Sequence, residues 1–293
     1  MAIRHFGILM IMCTVWGLHF VIIKLGVAQV PPIFYAAVRM TLVALVMSPF
    51  LRWHAGQMKA VLIGGICLGA LNYAFMFSGL VYAPANVAAL AIELYVPFAT
   101  LLSVMFLGER VGVWRVGGIA LAFCGVGVIA LAGHGESVGA PSSDRILLGI
   151  GLIMFAALSE AVGAVFVKKV SSISPFQLLA WFALIGTLIL WILTGVFETN
   201  QWEQLRNAPR TPLLGAILYS AFLASIVGHS IFYWLLQRLP LSLLAPSGLL
   251  TTLLAVMFAT LLLREPLTLP LIIGGLMILA GVGTVLVRTH AKE

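Results

Sequence analysis

The chain is predicted to be an all-α polytopic membrane protein, with ten transmembrane helices arranged as two inverted five-helix repeats. Three observations predict it. First, 62% of the 293 residues are hydrophobic and only 9% are charged, whereas soluble domains carry about 25% charged residues. Second, the apolar residues fall into runs long enough to cross a bilayer, which takes about 20 residues. Third, the two halves of the chain resemble each other.

Apolar runs bounded by charges or proline place the ten spans at about 6–25, 32–51, 60–81, 86–107, 113–132, 146–167, 175–197, 212–235, 242–263 and 269–287. The first run could imitate a signal peptide, but it is long, lacks an A-x-A site and recurs later in the chain. The longest polar stretches are 133–145 and 198–211. The first of these separates a repeat at 1–133 from a repeat at 146–293, with 134–145 as the linker.

A shift of 156 residues superposes Pro84 on Pro240, Glu109 on Glu265, Gly118 on Gly274, and Gly125-Val126-Gly127 on Gly281-Val282-Gly283. The same shift sets Asn72 and Tyr73 against Gly228 and His229. A shift of 144 sets Lys24 on Lys168 and Trp16 on Glu160, and a shift of 143 sets Pro32 on Pro175. Five spans per repeat force the halves to cross the membrane in opposite senses, as in many secondary transporters. With the N-terminus inside, ten Lys and Arg fall on the inner side and five on the outer. The positive-inside rule therefore predicts cytoplasmic N- and C-termini.

These residues carry a family resemblance. Each repeat has a Gly-rich last span after a glutamate (Leu107-Gly108-Glu109-Arg110 and Leu263-Arg264-Glu265-Pro266), and the first opens on Trp16-Gly17 with Phe20 and Lys24. With Arg39 and Pro84…Pro97…Glu109, the chain resembles the EamA-type branch of the drug/metabolite transporter superfamily over essentially its whole length. It is most similar to bacterial exporters of aromatic amino acids and metabolites. The second repeat departs from the first at Glu160 for Trp16, Phe182 for Arg39 and Leu253 for Pro97. An asymmetric central site is expected.

An ionisable side chain inside a span costs several kcal/mol unless it faces a cavity or a partner. His19, Arg39, Glu93, Glu160 and His229 are the deep ones, while Lys24 and Lys168 lie close enough to span ends to snorkel. A zwitterionic amino acid needs a cation for its carboxylate, an acceptor for its ammonium and a surface for its side chain. Arg39 and Glu93 are candidates for the first two roles, unless they pair with each other and merely hold helices together. Trp16, Tyr73, Tyr95, Trp181 and Tyr233 offer ring faces. Asn72, Ser225, Ser247, Thr251 and Thr252 would complete a polar strip. Pro97 is expected to kink the fourth span and to gate the path. Glu109 and Glu265 are expected to be structural, pairing with an arginine or capping the next span. The glycines of the fifth and tenth spans are expected to pack helices closely at the bundle edge.

The sequence contains no HExxH, GxSxG or Walker A pattern, and Gly125-x-Gly127-x-x-Ala130 lies inside an apolar span with no preceding strand. No enzyme activity, cofactor, metal or nucleic-acid partner is expected. The function expected is export of amino acids, aromatic or neutral, across the bacterial inner membrane by alternating access. A drug or nucleotide-sugar carrier, or an intramembrane enzyme, is the alternative. Its partners would be a small-molecule substrate, the lipid bilayer and protons, with Glu93, Glu160, His19 and His229 as proton candidates. Either a monomer or a homodimer is compatible with the sequence.

Overall fold

The computed structural model describes residues 3–107, 111–131, 143–168, 170, 173–236 and 247–290. Among the described residues, ten apolar helices make up the bundle: α1 (Ile3–Val27), α2 (Pro32–Met47), α3 (Met58–Tyr82), α4 (Ala85–Phe106), α5 (Val113–Leu131), α6 (Ser143–Val167), α7 (Pro175–Phe197), α8 (Arg210–Phe232), α9 (Ser247–Leu262) and α10 (Leu269–His290). Nine contain an apolar window long enough to cross a membrane, and α9 is a shorter apolar helix. Residues 242–246 of the expected ninth span lie outside the described residues, as do Glu109, Pro240 and the linker's 134–142.

The packing partners obey a two-fold exchange of the halves. Helices α2 and α7 pack on each other, as do α5 and α10; the α1–α9 contact is matched by α6–α4, and α3–α6 by α8–α1. Glycines show the same operator at atomic scale. A Cβ on Gly118 would meet the Gly281 carbonyl at 2.7 Å, and one on Gly125 the Gly274 carbonyl at 2.6 Å. Gly118 corresponds to Gly274 and Gly125 to Gly281, so the two contacts are images of one another. Gly117 and Gly127 would meet nothing within 4 Å, so only half of the fifth-span glycines serve the close approach. A wide π-helical segment interrupts α3 at Gly65–Leu71 and α8 at Tyr219–Val227, at matching places in the two repeats.

The helix ends explain three charged residues. α2 begins on Pro31-Pro32, and α4 follows Pro84; proline suits a first turn because its missing N–H would be an orphan anyway. The remaining orphans go to carboxylates brought from the other half. Glu198 accepts from Ile33 N at 2.7 Å and Phe34 N at 2.8 Å. Glu265 accepts from Ala85 N at 2.7 Å and Asn86 N at 2.8 Å. Glu265 is thus a cap, but of α4 rather than of the span that follows it. Lys24 corrects its expectation. Its ammonium turns inward and donates to the carbonyls of Leu80 (2.5 Å) and Ala83 (2.8 Å) at the end of α3. A cation on a C-terminus and an anion on the next N-terminus both oppose the local helix dipole. Glu265→Ala is expected to lower the stability of the folded protein by about 1–2 kcal/mol. Thermal unfolding in detergent measures it, and an unchanged Tm would remove the cap from this account.

The polar stretch 198–211 is not all loop. It contains a short helix, Gln201–Asn207, that starts after Asn200 at φ 60° and carries Glu203 in its first turn and Arg206 in its last. Asparagine tolerates that left-handed conformation, and both charges suit the helix dipole.

Candidate substrate-binding site

The basic side of the site is built on Arg39, which is only 1% exposed in the middle of α2. Its Nη2 donates to Ser225 Oγ at 2.6 Å and its Nε to the Ser220 carbonyl at 3.3 Å. The guanidinium lies 4.4 Å from the Tyr73 ring centre and 5.6 Å from that of Phe77. Ser220 and Ser225 both sit in the π-segment of α8, where Ser225 also donates to the Ser220 carbonyl at 3.0 Å. His19 Nε2 and the Tyr35 hydroxyl meet Ser220 Oγ at 3.0 and 2.8 Å, and Tyr35 also donates to Ala216 O. His229 Nδ1 donates to Ser225 O at 2.8 Å. The Trp16 indole donates to Ala224 O at 2.9 Å, edge-on to His229. Any Cβ at Gly228 would overlap that indole. No carboxylate bonds to Arg39 among the described residues, and its Nη1 is buried without a partner. A buried donor left unpaired costs about 1–3 kcal/mol, more when it is charged.

The acidic side lies on α4, α6 and α9. Glu93 sits in a tight turn, Ile92–Leu94, that breaks α4. The break follows from Pro97, which cannot donate to the carbonyl four residues back, that of Glu93. Thr252 Oγ1 donates to Glu93 Oε1 at 2.6 Å. Asn72 Nδ2 donates to Glu160 Oε2 at 3.2 Å and to Ala156 O at 3.1 Å. Glu93 and Glu160 are within electrostatic reach of one another and of Tyr95. One helix joins the two sides: consecutive residues of α3 put Asn72 against Glu160 and Tyr73 beneath Arg39. His19, Tyr73, Glu93, Tyr95, Glu160 and His229 are half-buried. The polar ends of His19, Glu93 and Glu160 bond to facing helices. The arrangement offers a guanidinium N–H to an anion and two carboxylates, each carrying one neutral donor, to a cation.

Both halves match the model of the EamA-like transporter family, over residues 5–131 and 147–287. The chain belongs to the EamA-like transporter family. It is 31% identical to a probable amino-acid metabolite efflux pump of Escherichia coli (strain K12), over 95% of this chain and 93% of that protein. A protein of the same description from Salmonella typhimurium is also 31% identical, over 93% and 91%. An uncharacterized transporter of Bacillus subtilis is 27% identical over 98% and 92%. A crystal structure at 18% identity superposes with a TM-score of 0.65 over 99% of both chains, which supports the shared fold. This EamA-family chain is a multi-pass membrane transporter.

Within the EamA bundle, Trp16, His19, Arg39, Asn72, Tyr73, Glu93, Tyr95, Glu160 and His229 fall into two groups joined through α3. Trp181 does not join them. It lies only six residues into α7, where its indole donates to Arg52 O at 2.9 Å and packs edge-on against Trp53. The Tyr233 side chain lies outside the described residues. Sequence reasoning missed Tyr35 and Ser220, and the repeat alignment held the clue. Arg39 corresponds to Phe182, and Ser220 and Ser225 to Gly64 and Gly69. In the other half Phe182 indeed packs on Gly64 and Gly69. One two-fold contact is polar in one copy and apolar in the other.

Proposed function

We infer that this transporter exports amino acids, aromatic or neutral ones, and related small metabolites across the bacterial inner membrane. The observation that carries the reading is the unpaired Nη1 of buried Arg39, set in one bundle with two carboxylates that hold only neutral donors. A substrate carboxylate would take Nη1, and its ammonium would lie between Glu93 and Glu160. Tyr95 and Trp16 supply ring surface for the side chain. The efflux-pump descriptions of the two relatives agree with this reading. Transport would proceed by alternating access, with repeats 1–133 and 146–293 rocking about the site and the break before Pro97 yielding as a gate. The excess of basic residues on one side supports N- and C-termini in the cytoplasm. Glu93 and Glu160 are the groups through which a proton gradient would act.

Flux from liposomes containing the purified protein tests it. Each substrate is an amino acid supplied beside its decarboxylated amine and its amide, with and without a pH gradient. The free amino acid is expected to move at least about tenfold faster than either analogue, the ratio that follows from losing one charged contact. Vesicles that move no amino acid, or that move amine and acid alike, would overturn the reading.

A further inference from the structure

A second site lies at the other end of α7, apart from the Arg39 cluster. A cavity of about 450 Å³ opens where the end of α7 meets the start of α2 and the short helix Gln201–Asn207. Three aromatic rings shape it. Trp191 and Trp202 lie nearly parallel, 14° apart with centres 6.2 Å from one another. Phe34 stands edge-on to both, at 5.6 and 5.3 Å. Trp191 is pinned by its bond to Thr41 Oγ1 at 3.0 Å.

Glu198 lines the same cavity, its carboxylate held by Ile33 N, Phe34 N and the Thr194 hydroxyl at 2.6 Å. The Gln201 amide, which lines the cavity as well, donates to the Thr194 and Glu198 carbonyls at 2.7 and 2.8 Å and closes off the end of α7. Aromatic faces beside a fixed carboxylate form a receptor for an organic ammonium. A cation lies one turn further along the short helix: Arg206 Nε donates to Trp202 O at 3.3 Å, which keeps the guanidinium on the turn that carries the Trp202 ring.

What occupies this place follows from the surface leading to it. Leu188, Ile192 and Val196 are 60%, 64% and 69% exposed and recur every fourth residue. They form one apolar stripe of α7 that ends beside the cavity. A ligand with a hydrocarbon tail, a phosphate and an ammonium matches stripe, Arg206 and aromatic box in turn. We propose that this cavity binds the head group of a zwitterionic phospholipid bearing a primary ammonium, with the ammonium against Trp191, Trp202 and Glu198, the phosphate at Arg206 and an acyl chain along the Leu188–Ile192–Val196 stripe. Glu198 repels the head group of an anionic lipid, so the site discriminates between the two.

The test titrates the purified full chain in detergent with phosphatidylethanolamine or with phosphatidylglycerol of identical acyl chains. Native mass spectrometry reads bound lipid, and the thermal midpoint reads stabilisation. Phosphatidylethanolamine is expected to bind saturably, about tenfold tighter than phosphatidylglycerol, and to raise Tm. Trp202→Ala removes an exposed ring and should bring the two lipids to equal affinity. Arg206→Ala, also on the surface, should weaken phosphatidylethanolamine without changing the lipid-free Tm, which guards against a Trp202 variant that folds poorly. Equal affinities in the unaltered protein, or unchanged preference in both variants, would overturn the proposal. So would displacement of the lipid by tail-free glycerophosphoethanolamine at the lipid's own concentration, because the stripe would then contribute nothing.

Discussion

Arg39→Ala is expected to cut export of carboxylate-bearing substrates by roughly 30- to 4,000-fold per folded molecule, the effect of losing a buried charged contact worth about 2–5 kcal/mol. The guanidinium is wholly enclosed, bonded only to neutral groups, and has one nitrogen with no partner. Its removal deprives an incoming carboxylate of its counter-charge but breaks no ion pair among the described residues. Export of an amide analogue should fall far less. Arg39→Lys should be intermediate at best: an ammonium keeps the charge but cannot reach Ser220 and Ser225 as a fork while stacking on Tyr73. The measurement is initial flux in liposomes, normalised to monodisperse protein. Equal flux from Arg39→Ala and the unaltered chain would end the assignment.

Gly69→Ala is expected to have the largest effect on folding. Where α3 crosses α7, a Cβ on Gly69 would overlap the Phe182 carbonyl, and one on Gly186 would overlap the Gly69 carbonyl. The obstacle is backbone on both sides, so no rotamer change relieves it and the helices must separate. Overpacking of this kind costs about 1–3 kcal/mol, occasionally more. Gly127→Ala is the control, because that position meets nothing within 4 Å. Size-exclusion profiles and Tm should separate the two variants. Indistinguishable behaviour would show that the α3–α7 crossing is not a close backbone contact.

The helices were legible because a bilayer imposes a length on every apolar run, and each run begins or ends on a proline, a charge or a glycine. The predicted spans 175–197 and 113–132 fall within a residue of α7 and α5. Most of the candidate polar site was legible for a related reason. Arg39, Glu93 and Glu160 are expensive in an apolar span unless something faces them, so their positions alone marked an interior. Charges near span ends were less informative. Lys24 had the option of reaching water, yet it turns to the α3 carbonyls; Glu265 sits beside α10 in the chain, yet caps α4. Trp181 failed as a site residue because an aromatic ring is inexpensive anywhere in a membrane helix, so its type says little about where it points.

The amino-acid sequence by itself determined the ten-helix architecture, the internal duplication and the identity of the deep ionisable groups, since each follows from hydrophobic length, periodic repetition and the cost of charge in hydrocarbon. Only the tertiary structure decided the partners. It showed that Arg39 bonds to serines rather than to Glu93, that Glu198 and Glu265 cap helices of the other repeat, and that Trp191, Trp202 and Phe34 line one cavity. A hydrogen bond or ring contact depends on the relative placement of helices about 160–190 residues apart in the chain, and neither composition nor local spacing encodes that distance.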